Sequence, residues 1–240
     1  MGAAVLWGAV AASSLVIGAW LGVWRRWPDK VTGAVLAFGA GALISAVSYD
    51  LVREGAQLDG GAGVAAGLAV GALAYFTADR ALERSGSRHR TGPSAGTGAG
   101  PALALGAFLD GIPEQAVLGI GLAAGEGVGV ALLAAIFVSN LPEAIGSSTQ
   151  MRADGRGTGS IMRLWVSIAV VCAAATVVGY LVADVASPRL QAAIDGFAAG
   201  ALIVMLIDSM IPEAARKSGL VAGLFTTLGF AAAAFLSVSG

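Results

Sequence analysis

The chain has 240 residues, of which 57% are hydrophobic and 12% charged, with a formal net charge of −1; an average soluble domain has roughly 45–50% apolar and about 25% charged residues. This composition excludes a water-soluble fold, and the near-neutral charge gives no support to a nucleic-acid partner, which would need a clustered basic surface. A membrane-spanning helix takes about 20 mostly apolar residues, so eight of them leave no room for an extramembrane domain.

Taken in chain order, the apolar runs predict an all-α integral membrane protein, one domain over 1–240 with eight transmembrane helices at 3–24, 31–55, 61–81, 101–124, 127–149, 160–183, 190–215 and 220–238. The first run has no basic leader and no cleavage pattern, so it reads as a retained span rather than a signal peptide. The stretch 83–100 is rich in Ser, Gly, Arg and Thr and reads as a flexible cytosolic loop that holds the single histidine, His89. The single cysteine, Cys172, lies in an apolar run, which rules out an intrachain disulfide and makes it a packing residue.

Basic residues test this span count, because a missed helix would scramble their alternation. Arg25, Arg26 and Lys30 follow the first span, and Arg80, Arg84, Arg88 and Arg90 follow the third. Arg152, Arg156 and Arg163 follow the fifth, Arg216 and Lys217 the seventh, and the opposite face receives only Arg53 and Arg189. The alternation predicts a multi-pass protein of an inner or plasma membrane with both termini on the outer side. Trp20, Trp24 and Trp27 fit an interfacial belt beside the first basic loop.

Internal similarity adds a second level of order. The segment FGAGALI at 38–44 resembles FAAGALI at 197–203, and the same offset aligns Glu54 with Glu213. The copies are five helix steps apart, so they run in opposite senses, the mark of an inverted-topology repeat. The small-residue spacing also permits close helix packing and a homodimer.

The spans carry few charges, and an acid near mid-membrane costs about 2.5–3.5 kcal/mol even on the lenient insertion scale, so it normally faces a partner or a watery path. The fourth span carries Asp110 and Glu114 on one face, and the fifth carries Ser139 and Glu143 on one face with Asn140 beside them. Pro113 and Pro142 each lack a backbone donor and free the carbonyl four residues earlier, those of Leu109 and Val138. Clustered carboxylates with freed carbonyls at a broken helix suit a divalent cation or shared protons. Asp208, four residues before Pro212 in the seventh span, is a further candidate ligand. Near the interfaces, Asp50, Glu54 and Glu213 read as entry ligands or as helix-end charges.

These two spans resemble those of the ZIP (Zrt/Irt-like) divalent-metal transporters, whose fourth helix typically reads His-Asn-x-Pro-Glu-Gly and whose fifth reads the same or His-Glu-x-Pro-His-Glu. The likeness extends over nearly the whole chain, with eight helices, outer termini and a polar loop after the third. By position, Glu114 and Glu143 match the family's metal-binding glutamates and Asn140 matches an asparagine ligand. The resemblance implies a transporter rather than an enzyme, with no prosthetic group and with a divalent metal as substrate. It implies uptake toward the cytosol, and an elevator-like sliding of spans one, four, five and six against two, three, seven and eight.

The chain departs from that pattern in its imidazoles. Asp110, Gly111 and Ser139 stand where the family has His, Asn and His, and the sixth span has no acid for a second metal. Oxygen ligands suit harder ions, while Zn favours nitrogen and sulfur. Zinc is therefore the family's default substrate, with Mn and Fe(II) as contenders. Two other readings stay open: a proton-coupled carrier of another cation, and a non-transporting ZIP-like sensor or partner protein.

Overall fold

The computed structural model describes the backbone of residues 1–84, 99–123 and 129–239, and the side chains of 1–81, 110–123 and 129–237. Most of the expected cytosolic loop, 85–98 with His89, lies outside the described residues. Among those described, the chain is helical from end to end with no strand. Helix α1 spans Gly2–Trp24 and α2 spans Asp29–Ala46, which continues through a π turn (Val47–Arg53) into α3 (Glu54–Asp59). Next come α4 (Ala62–Arg84), α5 (Ala99–Ala123), α6 (Val130–Ala153) and α7 (Thr158–Asp184). Helix α8 (Pro188–Met205) passes through a second π turn (Leu206–Met210) into α9 (Ile211–Ser218), and a 3-10 turn (Gly219–Val221) leads to α10 (Ala222–Ser239).

Local chemistry accounts for the sharp reversals. Gly60 closes α3 with φ +77 in the left-handed region, where only glycine is unstrained. Asp59 then caps α4, accepting from the amides of Gly61 at 2.9 Å and Gly63 at 2.6 Å. Ser187 accepts from Leu190 N at 3.4 Å at the start of α8, with Pro188 in the first turn. Gly219 ends α9 with φ +65.

Among the described residues, six stretches are long and apolar enough to cross a membrane: Gly2–Trp24, Asp29–Asp59, Ala62–Ala81, Val130–Ala153, Thr158–Asp184 and Pro188–Ser237. Burial is distributed as lipid demands. Val70, Leu73, Val170, Val178, Leu224 and Phe235 are exposed, while Asp110, Glu114, Gln115, Ser139, Asn140 and Thr176 are buried. A soluble protein has the opposite arrangement, and this one is an all-α membrane protein.

The helices associate in two sets. Helices α1, α5, α6 and α7 pack on one another, α1 along both α6 and α7, and α5 along both as well. In the other set α4 packs along α8, and α2 along α10 and α9. The sets meet chiefly where α2 lies on α6, with a smaller contact between α5 and α8. Glycines set the spacing: a Cβ on Gly41 would strike the Thr226 carbonyl of α10, and one on Gly200 would strike the Leu68 carbonyl of α4. Gly41 and Gly200 are corresponding residues of the two similar segments. The same offset carries Val47 onto Leu206, the first residues of the two π turns.

Candidate functional site

The polar stripes of α5 and α6 face each other where these helices meet. Pro113 and Pro142 lie inside their helices without ending them. Each lacks an N–H, so the carbonyls of Leu109 and Val138 have no helical donor. Glu114 is 1% exposed, and Ser139 Oγ lies 3.3 and 3.4 Å from its two carboxylate oxygens as donor. The same hydroxyl lies 3.0 Å from the Ile136 carbonyl one turn back, a second acceptor for its one proton.

Asn140 and Glu143 complete the α6 side. Asn140 is 1% exposed and its amide nitrogen has no partner; Glu143 Oε2 is sequestered and likewise has none. A buried polar atom without a partner costs about 1–3 kcal/mol, and such atoms gather where a ligand is to be received. Glu143 lies within the electrostatic reach of Asp110, Glu114, Glu213 and Lys217. Lys217 bonds Glu213 at 2.6 Å one turn away on α9. A Cβ on Gly146 would lie 3.3 Å from the Lys217 ammonium, so this α6 glycine leaves room for the charge.

Asp110, a turn before Glu114 on α5, is held differently. Its Oδ1 accepts from the Tyr75 hydroxyl of α4 and its Oδ2 from Ser209 Oγ at 2.9 Å. Asp110, Glu114, Ser139, Asn140 and Glu143 thus share one neighbourhood. Asp208 does not join them, because its side chain is exposed and the next residue, Ser209, is the one that turns inward.

Three residues at the site carry no motif. Tyr75 sits in an apolar run, Ser209 lies inside a π turn, and Lys217 looks like one more cytosolic-face charge. Cys172 also comes close, since a Cβ on Gly111 would lie 3.0 Å from its sulfur, and the charges of Glu114 and Glu143 reach it. A neighbouring pair extends the polar seam, with Thr176 Oγ1 donating to Gln115 Oε1 at 2.6 Å between α7 and α5.

The donors are two acids on proline-containing helices, a hydroxyl and an amide; Glu114, Ser139 and Asn140 are buried and Glu143 is partly buried. Among the described residues, no three His, Cys, Asp or Glu side chains converge closely enough to enclose a metal ion. A cation held here would draw on neutral oxygens and on adjustment of Glu143. No family model matches the chain, and no curated protein matches it either.

Proposed function

We propose that this chain is a transporter of divalent transition-metal cations, with zinc as the first candidate and manganese or iron(II) close behind. The observation that carries the reading is Glu143 Oε2, a sequestered carboxylate oxygen without a partner, beside Glu114 and Asn140 where two proline-interrupted helices meet. A cation would take carboxylate oxygens from Glu114 and Glu143. The Asn140 amide, whose oxygen and nitrogen exchange places by a half turn, and the Ser139 hydroxyl would add neutral oxygens.

The same reading has eight crossings with both termini outside and uptake toward the cytosol across an inner or plasma membrane. Eight crossings are supported by the length of 188–237, which at about 1.5 Å per residue is far longer than one bilayer core and breaks at Gly219. An inverted repeat is supported by the matched glycine contacts of Gly41 and Gly200 and the matched starts of the π turns. Uptake toward the cytosol follows from the likeness to ZIP transporters.

The test is uptake of zinc, manganese and iron(II) into vesicles holding purified protein, with metal load measured beside it. Glu114→Gln and Glu143→Gln are expected to lose at least tenfold in both. An equally small metal load in wild type and both variants would overturn the reading. One rival has an observation in its favour: Glu114 is met by a neutral hydroxyl, as in a proton-coupled carrier of another cation. Cation uptake that moves protons without any metal load would favour that rival.

A further inference from the structure

We infer that Asp110 is a clasp between the two helix sets, held shut by the hydroxyls of Tyr75 and Ser209. The inference rests on the transport reading for its purpose, and on the hydrogen bonds for its geometry. Asp110 belongs to α5, in the set formed with α1, α6 and α7. Its two hydroxyl donors belong to the other set: Tyr75 to α4, and Ser209 to the π turn between α8 and α9. One carboxylate therefore takes a hydroxyl on each oxygen from across the boundary. Glu114, one turn along the same helix, is bonded within its own set by Ser139 of α6.

This division of labour separates holding the ion from holding the conformation. Any sliding of α5 past α4 and α8 breaks both hydroxyl bonds to Asp110, while the Glu114 to Ser139 contact travels with α5 and α6. Direct contact between α5 and α8 is slight compared with that between α4 and α8, so at this part of the boundary the two hydroxyl bonds are prominent, while the wider contact of α2 on α6 has to slide with them. Ser209 lies in the π turn, four and three residues after buried Met205 and Leu206, and reaches α5, while Asp208 is exposed. Tyr75 and Ser209 are thus positioning residues that set how the protein divides between two packings.

The clasp is tested by the distance between spin labels at Arg163 on α7 and Arg216 on α9, one on each set and both exposed. Cys172→Ser provides the cysteine-free background for labelling. A hydrogen bond to a carboxylate is worth about tenfold or more in an equilibrium constant. Tyr75→Phe with Ser209→Ala is therefore expected to favour a second distance by roughly a hundredfold, and Ser209→Thr, which keeps the hydroxyl, to preserve the wild-type distribution. A distribution in the double variant that superimposes on wild type, at unchanged helicity and elution volume, overturns the clasp. If the double variant aggregates, the two single variants decide, each with about a tenfold shift expected and no shift in either counting against the clasp. Zinc load of Glu114→Gln and Glu143→Gln, which leave Tyr75 and Ser209 in place, judges the transport reading separately from the distance measurement.

Discussion

Ser139 of α6 and Glu114 of α5 are joined across the helix interface, the hydroxyl 3.3 Å from one carboxylate oxygen and 3.4 Å from the other. Both residues are buried, so no bulk water replaces the contact when it is lost. Ser139→Ala removes the donor and one neutral oxygen of the proposed ion shell. The expected result is metal affinity lower by about tenfold, near the value of one hydrogen bond to a charged group, with the protein still folded. Titration calorimetry on detergent-purified protein measures it, and an unchanged affinity would remove Ser139 from the shell.

The glycine beneath that contact gives a second prediction. A Cβ on Gly39 would lie 2.9 Å from the Ser139 Cα, 3.0 Å from its nitrogen and 3.1 Å from its Cβ. Two of those atoms are backbone, so α6 itself must shift. Gly39→Ala is expected to cost about 1–3 kcal/mol by overpacking and to weaken metal binding together with stability. Gly121→Ala is the control, since a Cβ there meets nothing within 4 Å. Helix propensity alone makes that substitution neutral or stabilising by up to about 1 kcal/mol. Thermal unfolding followed by circular dichroism compares them, and equal midpoints would mean that the α2 to α6 spacing is not set by Gly39.

How far the sequence reveals this site depends on the residue. Apolar runs bounded by charge mark the helices because lipid leaves the chain no cheaper way to satisfy its backbone. Glu114 and Glu143 stand out because an acid beside a proline in such a run has few structural uses. Tyr75 does not stand out, since a tyrosine among Ala, Leu and Phe reads as core until its hydroxyl is seen to reach Asp110. Ser209 is hidden by its neighbour: charge and a proline four residues on single out Asp208, and nothing in the sequence singles out the serine beside it in the π turn of 206–210, which is the one that reaches Asp110. Pro212 hints at the irregularity by withholding a donor from Asp208, but Val47–Arg53 makes the same kind of turn with no proline.

The ion pair on α9 leads to a prediction about charge. Lys217 bonds Glu213 at 2.6 Å, with both side chains about one-fifth exposed, and its ammonium also acts on Glu143. A positive charge near a cation site opposes the cation. Lys217→Met keeps the length and apolar stem and removes that opposition. Zinc affinity is expected to rise a few-fold at low salt, and less at high salt because partly exposed charges are screened over about 10 Å at 0.1 M. Stability should move little, as pairs near the surface are usually worth about 0–1 kcal/mol. Affinity measured at two ionic strengths checks this, and a fall in affinity would mean that Lys217 supports the site rather than opposing it.

Asp208 and Glu143 make the sharpest contrast, because charge and neighbouring proline give them equal claims in the sequence while their surroundings differ. Glu143 keeps an oxygen sequestered beside Asn140 and shares the field of Asp110 and Glu114, whereas Asp208 is exposed on the outside of a π turn. Neutralising each in turn separates position from mere charge. Asp208→Asn is expected to leave zinc load and affinity at wild-type values, and Glu143→Gln to lower affinity by at least tenfold. The comparison is made on the same preparation, with Ser209→Thr beside it to show that the π turn is intact. A tenfold loss in Asp208→Asn would put that carboxylate on the path of the ion, and would mean that the turn between α8 and α9 rotates to present Asp208 during the transport cycle.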